Sequence, residues 1–113
     1  MAKDDKDFDI IDMNDEKARK FADAMGNETS KRIFNYLRKE KGGIADISRA
    51  LNLPISTVHY NIQKLHQSGL IKVHDFYWSE KGNKVFIYTV SNKVMVFTPN
   101  KTPYLEAHMK SVL

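Results

Sequence analysis

Residues 44–70 read IADISRALNLPISTVHYNIQKLHQSGL, and this stretch decides the fold. Its first eight residues predict a short helix, because apolar side chains recur there at helical spacing. Asn52 and Pro54 then break the chain, since asparagine tolerates the left-handed backbone at a helix end and proline opposes continuation of a helix. A longer helix follows to about residue 68, with apolar residues at i, i+4 and i+7. Two helices joined by so tight a turn predict a helix-turn-helix unit.

Further helices and strands are predicted on both sides of this unit. Upstream, Asn14 and Asn27 can cap helices over 14–25 and 28–41, each of which ends at glycine. Downstream, two runs rich in β-branched and aromatic residues, 70–78 and 84–90, flank the turn residues 79–83 and predict a hairpin. A third strand at 93–97 and a last helix from Pro103, capped by Thr102, complete the prediction.

The predicted fold class is therefore α+β. It is a winged helix-turn-helix, with a three-helix core, a β-hairpin wing and flanking N- and C-terminal helices. The predicted organisation is a flexible acidic leader over residues 1–12, a DNA-binding winged helix domain over 13–98 and a C-terminal segment over 99–113.

Charge is distributed unevenly along the 113 residues. Residues 1–16 hold seven acids and two lysines, whereas the remainder holds 16 basic and 7 acidic residues. A basic body of this kind indicates a polyanionic partner.

Several classes of protein are disfavoured by what the chain lacks. There is no cysteine, which excludes a disulfide framework and a thiolate metal site and fits a reducing, cytoplasmic location. No apolar run approaches the roughly 18 residues of a membrane span, and the N-terminus does not resemble a signal peptide. The sequence contains none of the common catalytic motifs, and its histidines lack metal-ligand spacing. We therefore expect no enzyme, no cofactor and no metal.

The outward residues of the longer helix point to DNA. They contain no acid and can all donate hydrogen bonds: Ser56, Thr57, His59, Tyr60, Asn61, Gln63 and Lys64. Such donors suit base edges in a major groove about 12 Å wide, and lysine neutralises phosphate. We expect bases to be read by Thr57, His59, Tyr60, Asn61 and Gln63, and phosphates to be held by Ser56 and Lys64. Lys81, Asn83 and Lys84, at the wing tip over residues 79–84, should contact the backbone or minor groove.

The chain also resembles the ArsR-type winged helix regulators, especially the small archaeal members. The matching strings are TSKRIFNYLRKEKGG, IADISRALNLPISTVHYNIQKLHQSGLIKV and YWSEKGNKVFIYTV. The resemblance implies that residues 55–67 form the recognition helix and 79–84 the wing tip. It further implies a homodimer on a roughly two-fold operator, with the terminal helices as the dimer interface. Metal-sensing members often use cysteines, so thiol-based sensing does not carry over.

The predicted function is sequence-specific binding to double-stranded DNA in transcription regulation, with repression favoured. One alternative is a protein-interaction module of the transcription or replication machinery, in which the longer helix would bind protein. Another is an RNA-binding winged helix that uses the aromatic run Phe76-Tyr77-Trp78 with Phe86 and Tyr88. Those aromatic residues also have a structural interpretation, since cross-strand aromatic pairs stabilise a small hairpin.

Overall fold

The computed structural model describes residues 8–112. Their order of elements is β1 (Phe8–Asp12), α1 (Glu16–Met25), α2 (Glu28–Lys39), α3 (Ile44–Leu51), α4 (Ile55–Gln67), β2 (Ile71–Trp78), β3 (Lys84–Val90), β4 (Val94–Thr98) and α5 (Pro103–Val112). The described chain divides into two compact units, one of residues 20–91 and one that joins residues 8–19 to 92–112.

Helices α2, α3 and α4 enclose the core of the first unit. Its buried apolar side chains, each at most 2% exposed, are Ala24, Ile33, Leu37, Ile47, Val58, Ile62, Leu65 and Ile71. Apart from Ala24, the helical members belong to the apolar stripes predicted from sequence, and Ile71 is the first residue of β2. At about 25 cal/mol per Å² of buried apolar surface, packing of this kind is the main stabilising contribution to the unit.

The helix boundaries follow from local chemistry. The Asn27 side chain accepts a hydrogen bond from the Ser30 amide at 3.0 Å, which confirms the predicted cap of α2. Asn52 has φ 56° and ψ 52°, which confirms the left-handed residue at the end of α3. Two side chains outside this turn also hold it, because Ser48 Oγ donates to the Leu53 carbonyl and Arg32 donates to the Leu51 carbonyl at 3.1 Å.

The wing is an antiparallel hairpin in which Phe76 faces Phe86 and Trp78 faces Lys84. A bulge lies between Val73 and Asp75, and Gly82 turns the tip with φ +85°. Before α3, Gly42 exchanges two backbone hydrogen bonds with Tyr88, at 3.1 and 2.8 Å. A Cβ at Gly43 would lie 3.0 Å from the Phe86 carbonyl oxygen. This second glycine therefore permits the close approach of β3, a role beyond ending a helix.

The second unit departs from the predicted acidic leader. Residues Phe8–Asp12 form a strand rather than a flexible leader, and Ile11 is 1% exposed. The prediction of a flexible segment was wrong here because the acids are interspersed with apolar residues, and the side chains of Phe8, Ile10 and Ile11 are buried. Residues 1–7 of the predicted leader lie outside the described range. The predicted third strand exists as β4, but it pairs in parallel with β1 and does not extend the hairpin.

The predicted boundaries at 13–98 and 99–113 also need correction. Because β4 pairs with β1, the winged helix is contained in residues 20–91, and the C-terminal segment shares a unit with the N-terminal strand. Helix α1 begins at Glu16 rather than at the predicted Asn14, and the backbone amide of Asn14 donates to Asp12 Oδ1 at 2.9 Å. Thr102 caps α5 as predicted, with its Oγ1 accepting from the Leu105 amide at 3.1 Å.

Candidate nucleic-acid interface

Helix α4 presents most of its predicted DNA-binding residues to solvent. Ser56, His59, Tyr60 and Gln63 are exposed, and Tyr60 retains 60% of its surface. Thr57 and Lys64 are partly buried. The Lys64 ammonium lies 5.2 Å from the centre of the Tyr60 ring, a cation–π distance. The helix therefore offers a face of hydrogen-bond donors and one cation, with no carboxylate among them.

Asn61 does not belong to this face, so its predicted role in base reading is wrong. It is 3% exposed. Its Oδ1 accepts from Ser30 Oγ at 2.6 Å, and its Nδ2 donates to the Thr57 carbonyl at 2.8 Å. Since Ser30 is itself fully buried, this pair is a polar link that fixes α4 against α2. The signal was in the sequence, because residue 61 is the i+3 position of the stripe that begins at Val58.

The N-terminus of α4 has no side-chain cap among the described residues. Pro54 precedes the helix in extended conformation. The first-turn amides of the helix carry partial positive charge, and Ser56 lies among them. A phosphate at this position would find backbone donors as well as the hydroxyl.

The wing tip places Lys81 and Asn83 in solvent, as predicted. The turn from Ser79 to Asn83 is closed by a backbone hydrogen bond, in which Ser79 N donates to the Asn83 carbonyl at 2.8 Å. The Ser79 side chain adds a second bond, since its Oγ accepts from Asn83 N at 3.1 Å. Lys84 is also exposed, but its ammonium lies over the rings of Phe76, Trp78 and Phe86. Sequence reasoning missed this arrangement, because it depends on the register of the hairpin.

An open groove of about 410 Å³ runs between α4 and the wing. Its walls are formed by Ile44, Ala45, His59, Ile62, Gln63, Lys84, Val85, Phe86 and Tyr88. Polar groups from both sides therefore meet here, with His59 and Gln63 from the helix and Lys84 from the wing. Burial raises the pKa of the Tyr88 phenol above its ordinary value.

The charge of the first unit favours an anionic partner. Residues 20–91 hold 11 basic and 6 acidic residues, a net charge of +5. Part of this charge is already engaged, since Arg49 pairs with Asp46 at 2.9 Å and Lys31 lies 3.9 Å from Glu28. The lysines of α4 and of the wing tip form no ion pair with a carboxylate in the described structure within 4.0 Å.

Within the range of residues 8–112, no three histidine, aspartate or glutamate side chains are grouped so that they could hold a metal ion. No helix within it is long and apolar enough to cross a membrane.

Comparison with known sequences finds similarity to helix-turn-helix proteins. Residues 25–74 match a family model described as a helix-turn-helix domain. An uncharacterised helix-turn-helix-type transcriptional regulator of Methanocaldococcus jannaschii is 37% identical over 71 residues. That match covers 63% of this chain but only 17% of the relative, so the chain spans a small part of the archaeal protein.

Solved structures agree on the fold. NolR of Sinorhizobium fredii superposes with a TM-score of 0.52 at 18% identity, covering 86% of this chain and 81% of that one. A domain of Mycobacterium bovis, described as a homodimeric winged helix-turn-helix DNA-binding domain and a possible ArsR-family regulator, has a TM-score of 0.52 at 17% identity, with 86% and 78% covered. The predicted winged helix-turn-helix fold and the predicted resemblance to ArsR-type regulators are confirmed.

Proposed function

We propose that this chain is a transcription regulator that binds specific sequences of double-stranded DNA as a homodimer. The observation that carries the proposal is the outer face of α4, where exposed hydrogen-bond donors occur without a carboxylate, beside a wing that adds cations. A protein that binds DNA needs this combination, because donors and cations match base edges and phosphates while acids are repelled by phosphates. The matches to helix-turn-helix regulators support the same function.

Helix α4 enters the major groove and reads bases. Tyr60, His59 and Gln63 are the exposed residues with the longest reach, and Thr57 stands one turn before Tyr60 and Asn61 on the same helix. Ser56 and Lys64 hold phosphates, Ser56 together with the first-turn amides. Asn61 is not proposed to contact bases. It acts through its buried contact with Ser30, which fixes the position of the helix that contains the base-contacting residues.

The wing contacts the DNA backbone through Lys81, Asn83 and Lys84. Its tip is exposed and its turn is held by two hydrogen bonds between Ser79 and Asn83, so these side chains project from an ordered support. Each phosphate neutralised by such a lysine steepens the salt dependence of binding by roughly 0.9 in the logarithmic slope. The wing therefore contributes affinity and orientation, whereas α4 contributes specificity.

Homodimerisation is proposed for the unit that joins residues 8–19 to 92–112. Helix α5 has its apolar residues Leu105 and Met109 only partly covered, and Val112 is 60% exposed. Helices with an uncovered apolar stripe commonly pack against another copy. The Mycobacterium bovis domain of the same fold is described as homodimeric. Two copies related by a two-fold axis would favour a palindromic site.

The test is selection from random duplex DNA at two salt concentrations, followed by sequencing. Enrichment of a paired, roughly palindromic motif is expected, since a symmetric dimer presents two α4 helices. Salt-sensitive binding without enrichment would contradict sequence-specific recognition. Absence of binding at both concentrations would contradict DNA binding altogether and would favour a protein-interaction module.

Two substitutions distinguish the recognition of bases from the electrostatic attraction to phosphates. Tyr60→Ala should weaken binding to the selected sequence about tenfold more than binding to random duplex, a difference of roughly 1.4 kcal/mol. Lys81→Ala should weaken both to a similar extent and flatten the salt slope by roughly 0.9. Binding titrations over a salt series measure both effects. Equal losses on the two DNAs for Tyr60→Ala would remove this residue from base reading.

A further inference from the structure

The side of the wing that faces α4 becomes progressively more exposed away from the helices. Ile71 is 2% exposed and Tyr88 is partly buried, yet Phe86 is 40% exposed and Trp78 63% exposed. Side chains alternate between the two faces of a strand, so the apolar pattern that seals the core continues outward along the hairpin past the helices. Large rings are thus left in contact with water.

These exposed rings are organised around one cation. Phe76, Trp78, Phe86 and Lys84 form what we term the aromatic face. Phe76 meets Trp78 edge-on, with ring centres 5.9 Å apart, and lies 6.4 Å from Phe86. The Lys84 ammonium is 4.4 Å from the centre of the Phe76 ring and 5.5 Å from that of Trp78. The aromatic face therefore combines uncovered π-surface with a positive charge.

Stabilisation of the hairpin accounts for only part of this arrangement. The cross-strand contact of Phe76 with Phe86 supports the hairpin, as such pairs do. The exposed fraction of Trp78, at the outer end of the strand, does not contribute to that contact. Exposed apolar surface grouped in this way on a soluble domain commonly marks a binding site.

We propose that the aromatic face binds unpaired bases of single-stranded DNA. Bases stack on exposed aromatic rings, and the phosphate that follows each base supplies an anion for Lys84. The groove beside the face adds His59 and Gln63 on its opposite wall, so a strand that lies along the wing meets donors on both sides. This binding depends on the rings of the aromatic face, so it can be tested at Phe76, a residue outside the set proposed to contact duplex DNA.

The position of the lysine favours a nucleic acid over an apolar protein surface. A second copy or an apolar partner that covered Phe76 and Trp78 would bury the Lys84 ammonium without an anion, which is costly. A nucleotide avoids this cost because it carries its own negative charge. On the same strand, Asp75 directs its carboxylate to the Phe76 amide at 2.7 Å, and it lies at the position that alternates to the opposite face.

Trp78 provides the measurement, because it is the single tryptophan of the chain. An oligothymidylate of about 10 nucleotides, a length within known single-strand site sizes, should quench its fluorescence at low salt. An abasic oligomer of the same length retains the phosphates but has no bases, so it should bind more weakly and quench little. Phe76→Ala keeps the probe and should weaken binding of the oligothymidylate about tenfold.

Tyr77→Ala is the matched control, since Tyr77 is an exposed aromatic residue at the alternate position of the same strand. It should leave the affinity for oligothymidylate unchanged. Phe76→Leu keeps an apolar cross-strand contact without a π-face and should weaken binding as Phe76→Ala does. Circular dichroism of each variant verifies that the hairpin persists.

Four outcomes would overturn the inference. Equal affinity for the abasic oligomer and the oligothymidylate would reduce the interaction to charge. Equal effects of Phe76→Ala and Tyr77→Ala would remove the aromatic face from binding. A concentration-dependent blue shift of Trp78 emission without DNA would assign the face to a second copy. Binding to duplex with none to the single strand would refute base stacking and leave the proposed regulator function standing.

Discussion

The two units of this chain close their cores to different degrees. In residues 20–91, eight apolar side chains from four helices and a strand are at most 2% exposed. In the unit of residues 8–19 and 92–112, the apolar side chains of strand β1 are buried. Val94 of its partner strand, however, is 54% exposed, and no residue is buried in the part of α5 that is described. The helical core of the first unit is thus closed within one copy, although the aromatic face of its wing stays exposed. In the second unit, α5 leaves its own apolar residues uncovered, which is the property expected of a surface that binds another copy.

The largest expected effect is the loss of stability caused by Ile47→Ala in α3. Ile47 is fully buried, so the substitution should lower the free energy of unfolding by about 2–5 kcal/mol. Leu105→Ala, in the half-exposed stripe of α5, should cost the monomer less than about 1 kcal/mol. Urea titrations measure both. Equal losses would show that the second unit is as closely packed as the first.

Asn61→Ala sharpens the contrast within α4 between a positioning residue and a reading residue. It leaves the buried Ser30 hydroxyl without its acceptor, so the free energy of unfolding should fall by about 1–3 kcal/mol. Gln63→Ala, on the exposed face of the same helix, should leave stability unchanged and weaken specific DNA binding.

The double variant Ser30→Ala/Asn61→Ala is a further control, and it should recover part of the loss because neither partner is then left unsatisfied. If Asn61→Ala reduced only DNA affinity, with stability intact, Asn61 would return to the set of base-reading residues.

Leu105→Asp examines the proposed dimer surface directly. A carboxylate in the apolar stripe of α5 should raise the dimer dissociation constant about tenfold, roughly 1.4 kcal/mol. Ser111→Asp introduces the same charge at an exposed position of the same helix and should change dimerisation little. Sedimentation equilibrium separates the two, and identical behaviour would place the interface elsewhere.

The smallest expected effect concerns Asp12 and acid. Hydrogen bonds from the Asn14 and Lys101 amides, at 2.9 and 3.0 Å, hold the pKa of this carboxyl below its usual value. Its contribution to stability is therefore complete above the ordinary pKa of aspartate, near 4, and is lost as pH falls through the lowered pKa.

Asp12→Asn should accordingly make the second unit less sensitive to acid in that range. The two amide protons, followed by hydrogen exchange across the titration, report the effect. A titration of Asp12 at its ordinary value would contradict the assignment.

Much of the first unit is predictable from sequence, because its signals are local. Apolar spacing gives the three core helices, and the end of α3 follows from the tolerance of Asn52 for left-handed backbone. The hairpin follows from turn residues between β-rich runs. Exposure of Ser56, His59, Tyr60 and Gln63 also follows, since these positions lie off the apolar stripe.

The remainder depends on distant partners. Asn61 occupies a core position, but only the presence of Ser30 opposite makes a buried asparagine acceptable. The acids of β1 made its sequence resemble a charged, flexible segment, and its partner β4 lies near the other end of the sequence. Parallel pairing between such distant segments leaves no local pattern. The ammonium of Lys84 lies over three rings only because the hairpin register brings them together.

Because β1 and β4 are parallel neighbours, the whole winged helix is a loop inserted between two hydrogen-bonded strands. Tension applied to the chain before β1 and after β4 would pull these strands in opposite directions, along their length. The bonds of the pair lie across that pull and are loaded together in shear. A mechanical load on the chain would therefore be borne first by Phe8–Asp12 and Val94–Thr98, and the DNA-reading helix would be shielded from it until that pair yields.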